Sequence, residues 1–278
     1  MPHERARRER WRRWGGYAAA GLVAAVMLVP FLWMLSTALM DEFEVLQYPP
    51  PLLPAVPRWR NFAEALTALP FGRFFLTSAI VAAFTVGGQV VTGALGGYAL
   101  ARFRFAGQRA VFASYLGALM IPGIVLLIPR FLLVDALGGI DTMAGLVSTE
   151  LVSCWGVFMM RQFFVTLPRE TEDAARIDGA GEWTIFWRIA LPLAKPALAT
   201  FALFAFIDAW KAFLWPLVVT RSMDLRTVEV GIASFHGLYY ANWPYQMAAA
   251  VTALVPVLVV FLLTQRYFTR GIQLTGLR

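Results

Sequence analysis

Long apolar runs separated by short polar or Pro-rich segments make up most of this chain. Six are long enough to cross hydrocarbon about 30 Å thick, which takes about twenty residues at a rise of about 1.5 Å each. They run from Tyr17 to Leu39, Phe74 to Leu100, Ala110 to Leu133, Met143 to Val165, Pro196 to Thr220 and Met247 to Gln265. In lipid each segment must satisfy its own backbone groups, so the runs predict helices. The alternation expected of membrane barrel strands is absent. The pattern predicts an all-α polytopic membrane protein with six transmembrane helices. Within the second run, Gly93 and Gly97 have the Gly-x-x-x-Gly spacing that lets helices approach closely. Pro122, Gly123 and Pro129 interrupt the third, and Tyr48 to Pro57 reads as a stiff extended linker.

Composition agrees with the pattern. The 278 residues are 59% apolar and 15% charged, with a mean hydropathy of +0.63, against about 45–50% and about 25% in soluble domains. The cations set the orientation. Arg5, Arg7, Arg8, Arg10, Arg12 and Arg13 precede the first helix, and Arg102, Arg104 and Arg109 follow the second. Arg161, Arg169, Arg176, Arg188 and Lys195 lie between the fourth and fifth, and Arg266, Arg270 and Arg278 close the chain. The opposite side has Arg58, Arg60, Arg73, Arg130, Arg221 and Arg226, offset by acidic residues. Both termini are therefore expected to be cytoplasmic, with a basic segment at 1–14 preceding a transmembrane domain at 15–278. The net charge of +7 follows this topology and fits anionic inner-leaflet lipid rather than nucleic acid. The first run exceeds the core of a signal peptide and lacks a cleavage site, so it reads as a retained helix. Cys154 is the only cysteine, which precludes an intramolecular disulfide. There is no phosphate-binding Gly-rich loop, no His pair for a metal and no nucleophile elbow. The chain is expected to bind no cofactor and to catalyse no reaction alone.

One polar, charged stretch interrupts the pattern, at about 166–195. Leu167-Pro168 fits a helix start, and Glu170, Glu172 and Asp173 place negative charge near the positive end of the helix dipole. Ala174 and Ala175 keep one side slim, and Gly179 suits the left-handed position that ends a helix. A second amphipathic helix is predicted from Gly181-Glu182 through Trp183, Ile185, Phe186 and Ile189. Leu191, Pro192 and Pro196 then redirect the chain. From periodicity alone, a connector lying on the bilayer and a docking surface fit equally.

The stretch Glu172-Asp173-Ala174-Ala175-Arg176-Ile177-Asp178-Gly179-Ala180 with Ile189-Ala190-Leu191-Pro192 resembles the "EAA…G…I-LP" loop of permease subunits in binding-protein-dependent ABC importers. Gly97 to Phe103, Met120-Ile121-Pro122, Ile128-Pro129, Trp210 with Phe213 to Leu217, and Gln265 to Gly271 resemble segments of the maltose-type carbohydrate branch. The resemblance implies the type I importer permease fold in a prokaryotic inner membrane. It also implies a second homologous permease, two ATPase subunits that bind ATP and Mg, and an extracytoplasmic binding protein. It assigns ATPase coupling to Glu172, Asp173, Ala174, Ala175, Asp178, Gly179, Leu191 and Pro192. Three departures stand out: Asp173 replaces the usual Glu, Lys211 and Ala212 replace an Asn and an acidic residue, and the tail from Leu274 lacks the usual ending.

Ionisable residues in a bilayer are costly and usually face a bundle interior or a water cavity. Glu150, Asp208 and Lys211 are such candidates, with Trp210 and Trp215 beside them, for a translocation path. Asp208 and Lys211 are spaced to pair as neighbours on a helix. Phe235, His236, Tyr239, Tyr240, Trp243 and Tyr245 fit an aromatic interface belt. The alternatives are a stand-alone secondary transporter, which predicts inverted repeats, a membrane-embedded enzyme, and an importer permease for a non-sugar solute.

Overall fold

The computed structural model describes residues 2–237 and 241–275, with side chains from 14 to 237 and from 241 to 266. Tyr239 and Tyr240, the side chains of the N-terminal arginines and of the segment from Tyr267, and the last three residues of the tail lie outside them. Among the described residues the regular structure is helical, apart from one isolated bridge between His236 and Ala241. The main helices are α1 (Pro2–Ala38), α2 (Arg60–Ala68), α3 (Phe71–Arg102), α4 (Gln108–Met120), α5 (Leu127–Ala136), α6 (Met143–Val147) and α7 (Cys154–Thr166). They continue as α8 (Glu170–Ile177), α9 (Glu182–Ile185), α10 (Lys195–Trp210), α11 (Leu214–Val219), α12 (Val228–Ala233) and α13 (Trp243–Thr275). Contacts divide the chain into two units, Met1–Leu69 with Ile232–Thr252 and Pro70–Gly231 with Ala253–Arg278.

Among the described residues, three helices are long and apolar enough to span a membrane without interruption: Trp14–Ala38, Phe71–Arg102 and Trp243–Arg266. The other three predicted runs are broken rather than continuous. Between α4 and α5 the chain turns by 96°. Pro122 forces the residue before it, Ile121, into an extended conformation. Pro129 falls in the first turn of α5, where the missing N–H costs nothing. The fourth run bends by 41° between Met143–Glu150 and Cys154–Thr166, and Ser153 caps α7 by accepting from the Gly156 N–H. The fifth run was expected to be one helix from Pro196 to Thr220. It is instead two helices, separated by Lys211-Ala212-Phe213. Pro216, in the first turn of α11, could not continue α10 because it has no N–H to donate and its ring would meet the carbonyl four residues back.

In the larger unit α3 packs against α7 and α10. Ala94, Tyr98, Met160, Phe164, Ala190 and Phe201 are buried there. The Gly93/Gly97 spacing serves this packing. A Cβ on Gly97 would lie 2.6 Å from the Met160 Cβ and 2.7 Å from the Arg161 backbone N. Gly97→Ala is therefore expected to destabilise by about 1–3 kcal/mol, the usual cost of overpacking, whereas Gly87→Ala, with nothing within 4 Å, should not. Melting of the two purified variants checks this.

In the smaller unit, Asn61 of α2 donates from Nδ2 to the Ala38 and Met40 carbonyls, each at 2.9 Å. That bond supplies partners for carbonyls at the end of α1, which have none within the helix. Tyr245 donates to Glu64 at 2.8 Å, and the exposed His236 ring meets Trp243 edge-on at 4.5 Å.

Candidate functional site

The charged stretch folds as a helix, a glycine turn and a second helix. The turn after α8 follows the motif predicted for Gly179. Ala180 N–H bonds to the Ala175 carbonyl at 2.9 Å, Gly179 N–H bonds to Arg176 at 3.1 Å, and Gly179 has φ +85°. Arg176 then ties the two helices together. It reaches Asp173 at 2.7 Å and grips both carboxylate oxygens of Glu182, at 2.7 and 3.1 Å. That grip holds the Glu182 carboxyl below its ordinary range and raises the guanidinium. The chain runs on from α9 through a π turn, Phe186–Ala190, and a single helical turn, Leu191–Leu193. Of the predicted amphipathic face, Ile185 and Phe186 are buried and Ile189 is half-buried. Trp183 is not part of it, being 68% exposed.

The predicted coupling residues separate into two directions. Asp173, Ala174, Asp178, Gly179 and Pro192 are exposed, while Ala175 and Leu191 are half-buried. Glu172 alone is buried, 2% exposed. Its Oε1 accepts from Arg102 Nε at 2.8 Å, and Arg102 also donates to the Leu167 carbonyl at 3.0 Å. The loop is thus clasped to the end of α3 through a charge pair sheltered from water. Beside the clasp, Ile177 at 86% and Trp187 at 56% join Trp183 as exposed large apolar side chains.

The second candidate region is a cavity of about 90 Å³ in the larger unit. Glu150, Asp208 and Trp215 line it, together with Thr85 and Gln89 of α3. Gln89 donates to the Glu150 carbonyl at 2.9 Å. Arg130, on α5, pairs with the Glu150 carboxylate, donates to Thr149 at 2.7 Å and lies over the Trp215 ring at 4.4 Å. Trp215 Nε1–H donates to Leu146 at 3.2 Å. Two of the expected path residues do not reach this cavity. Trp210 is buried, donating to the Ala253 carbonyl at 3.1 Å and stacking on Phe206. Lys211 lies in the break after α10 and forms no ion pair with Asp208 among the described residues. The helical spacing that suggested an Asp208–Lys211 pair ends where the helix ends.

Thr85, Gln89 and Arg130 were not singled out by sequence reasoning. Thr85 and Gln89 are polar residues four apart in an apolar run, which puts them on one helical face. That signal was available. Arg130 had been counted only as an orienting charge.

A family model for the inner membrane component of binding-protein-dependent transport systems matches residues 89–274. The chain is 35% identical over 261 residues to the sn-glycerol-3-phosphate transport system permease protein UgpE of Yersinia pestis, covering 90% of this chain and 93% of that one. It is 33% identical over 261 residues to the diacetylchitobiose uptake system permease protein NgcG of Streptomyces coelicolor, covering 92% and 86%. A bacterial ABC transporter involved in import of the acidic polysaccharide alginate superposes with a TM-score of 0.79 at 25% identity, over 92% of this chain and 97% of that chain. The MetNI methionine ABC transporter shares the fold, with a TM-score of 0.53 at 18% identity over 77% and 94%.

Proposed function

Because the chain belongs to the family of inner membrane components of binding-protein-dependent transport systems, a family of multi-pass, non-catalytic permease subunits, we propose that it imports a carbohydrate or a carbohydrate derivative. It does so with a second homologous permease, two ATPase subunits that bind ATP and Mg, and an extracytoplasmic binding protein. Both termini and the loop at 166–195 face the cytoplasm, in keeping with the distribution of arginines. The sugar assignment draws on relatives whose names specify diacetylchitobiose, arabinooligosaccharides and glycerol phosphate.

One observation carries the coupling role. The α8–α9 segment exposes Ile177 and Trp183 while Glu172 and Arg102 hold it to α3. Large apolar side chains held rigidly at a polar surface suit a partner's groove. An ATPase that grips them on closing therefore pulls on α3 directly, and the cavity at Glu150, Asp208 and Trp215 lies further along the same helix. Asp173, Ala174, Asp178 and Gly179 form the exposed edge of the contact. Ala175, Leu191 and Pro192 shape its base.

Co-expression of the tagged chain with its ATPase and binding protein tests the proposal. The wild type is expected to retain the ATPase through purification and to drive ATP-dependent sugar uptake in proteoliposomes. Ile177→Asp with Trp183→Ala should lose at least about 2 kcal/mol of docking, a thirtyfold weakening or more, as hot-spot side chains do. A well-folded wild type that retains no ATPase contradicts the proposal and favours a stand-alone transporter.

A further inference from the structure

The cavity beside α3 contains a group that the packing leaves unused. Thr85 lines it, is 3% exposed, and its hydroxyl has no hydrogen-bond partner. Several helix threonines instead return their hydroxyls to the carbonyl four residues back. Thr92 does so to Gly88 at 2.8 Å, Thr200 to Pro196 at 2.9 Å and Thr252 to Ala248 at 2.8 Å. A buried hydroxyl with no partner is costly, and it persists where something else completes it.

The charge around the cavity limits what that something is. Arg130 is balanced by Glu150. Asp208 forms no ion pair among the described residues and is exposed. Lys211, the nearest cation in sequence, does not line the cavity. The balance at the cavity is therefore negative. Its volume of about 90 Å³ equals about three waters at about 30 Å³ each, enough for a short polyol or one edge of a sugar ring.

From these observations we infer that the cavity is a niche for a pair of hydroxyls on a neutral sugar or polyol. One hydroxyl donates to Asp208 and the other meets Thr85, while Trp215 forms the wall. A phosphate or carboxylate on the ligand is disfavoured there by Asp208. The assignment rests on the importer reading above and narrows it to neutral substrates.

Saturation-transfer NMR on the assembled complex in nanodiscs, without binding protein, tests the niche. The probes are glycerol and glucose, compared with glycerol phosphate and glucuronate. Neutral probes are expected to bind the wild type more strongly than their anionic analogues. Thr85→Val and Asp208→Asn should each weaken the neutral signal about fivefold to tenfold, the value of one buried hydrogen bond. Asp208→Asn should also narrow the gap to the anionic probes. Thr67→Val, at an exposed hydroxyl that already bonds to Ala63 at 2.8 Å, is the control and should change nothing. Equal binding of neutral and anionic probes, or neutral binding untouched by both variants, overturns the niche. ATP-driven uptake by the same wild-type complex with its binding protein reports separately on the importer reading, because it does not depend on which probe the niche prefers.

Discussion

Glu172→Ala is expected to destabilise the protein by about 3–5 kcal/mol, the cost of removing one member of a buried ion pair and leaving the other charge unpaired. The guanidinium of Arg102 has only the Leu167 carbonyl as a second partner, and its side chain is 3% exposed, so water cannot replace the lost carboxylate. Arg102→Ala should cost a similar amount, because Glu172 would then have only Arg176, at 3.6 Å. The double variant Arg102→Met with Glu172→Leu separates two roles. Apolar replacement of a whole buried pair is often neutral for stability, so its melting temperature should return close to that of the wild type. If the clasp also transmits force from α8 to α3, ATP-driven uptake should stay low in this stable double variant. Recovery of uptake together with stability would show that the pair serves folding alone.

Gly179→Val should cut ATPase retention and uptake by about tenfold to a hundredfold, with little change in the rest of the fold. A β-branched residue at φ +85° carries strain of about 1–3 kcal/mol, which shifts the loop away from the turn that fixes α9 relative to α8. The effect is conformational, since a Cβ there meets nothing within 4 Å. Gly179→Asn distinguishes this from loss of a contact. Asn tolerates the left-handed region, so that variant should retain most of the activity if conformation alone matters. Equal losses for Val and Asn would instead place Gly179 against the surface of the ATPase.

Local chemistry explains which parts of this structure were legible in the sequence. The Gly179 turn is a matter of six residues and one positive φ; the helix before it follows from an acidic first turn, and the one after it from apolar spacing. The six apolar runs came from length and hydropathy alone. The breaks were less visible, because hydropathy is indifferent to whether Lys211-Ala212-Phe213 continues a helix. Pro216, the residue that decides it, lies six positions downstream of the end of α10. Local pattern makes Glu172 one more acidic residue in a first turn, and the family resemblance places it on the coupling surface. Its burial depends on Arg102, 70 residues away, and no local periodicity reports such a partner. The same holds for Arg130, whose partners Glu150 and Trp215 lie far along the chain.

The bare flank of α1 bears on how the protein is made. None of the residues in its most apolar stretch is buried within the chain, so nothing synthesised later is needed to shelter it. The helix can leave the translocon as soon as it emerges, and on the proposed orientation its arginines hold the amino terminus back. Within this chain, its apolar side chains serve partitioning rather than packing. Exchanges among Leu, Val and Phe along Leu22 to Leu32 should then leave membrane integration intact, whereas the same exchanges at Phe201 or Met160 would disturb a packed interior.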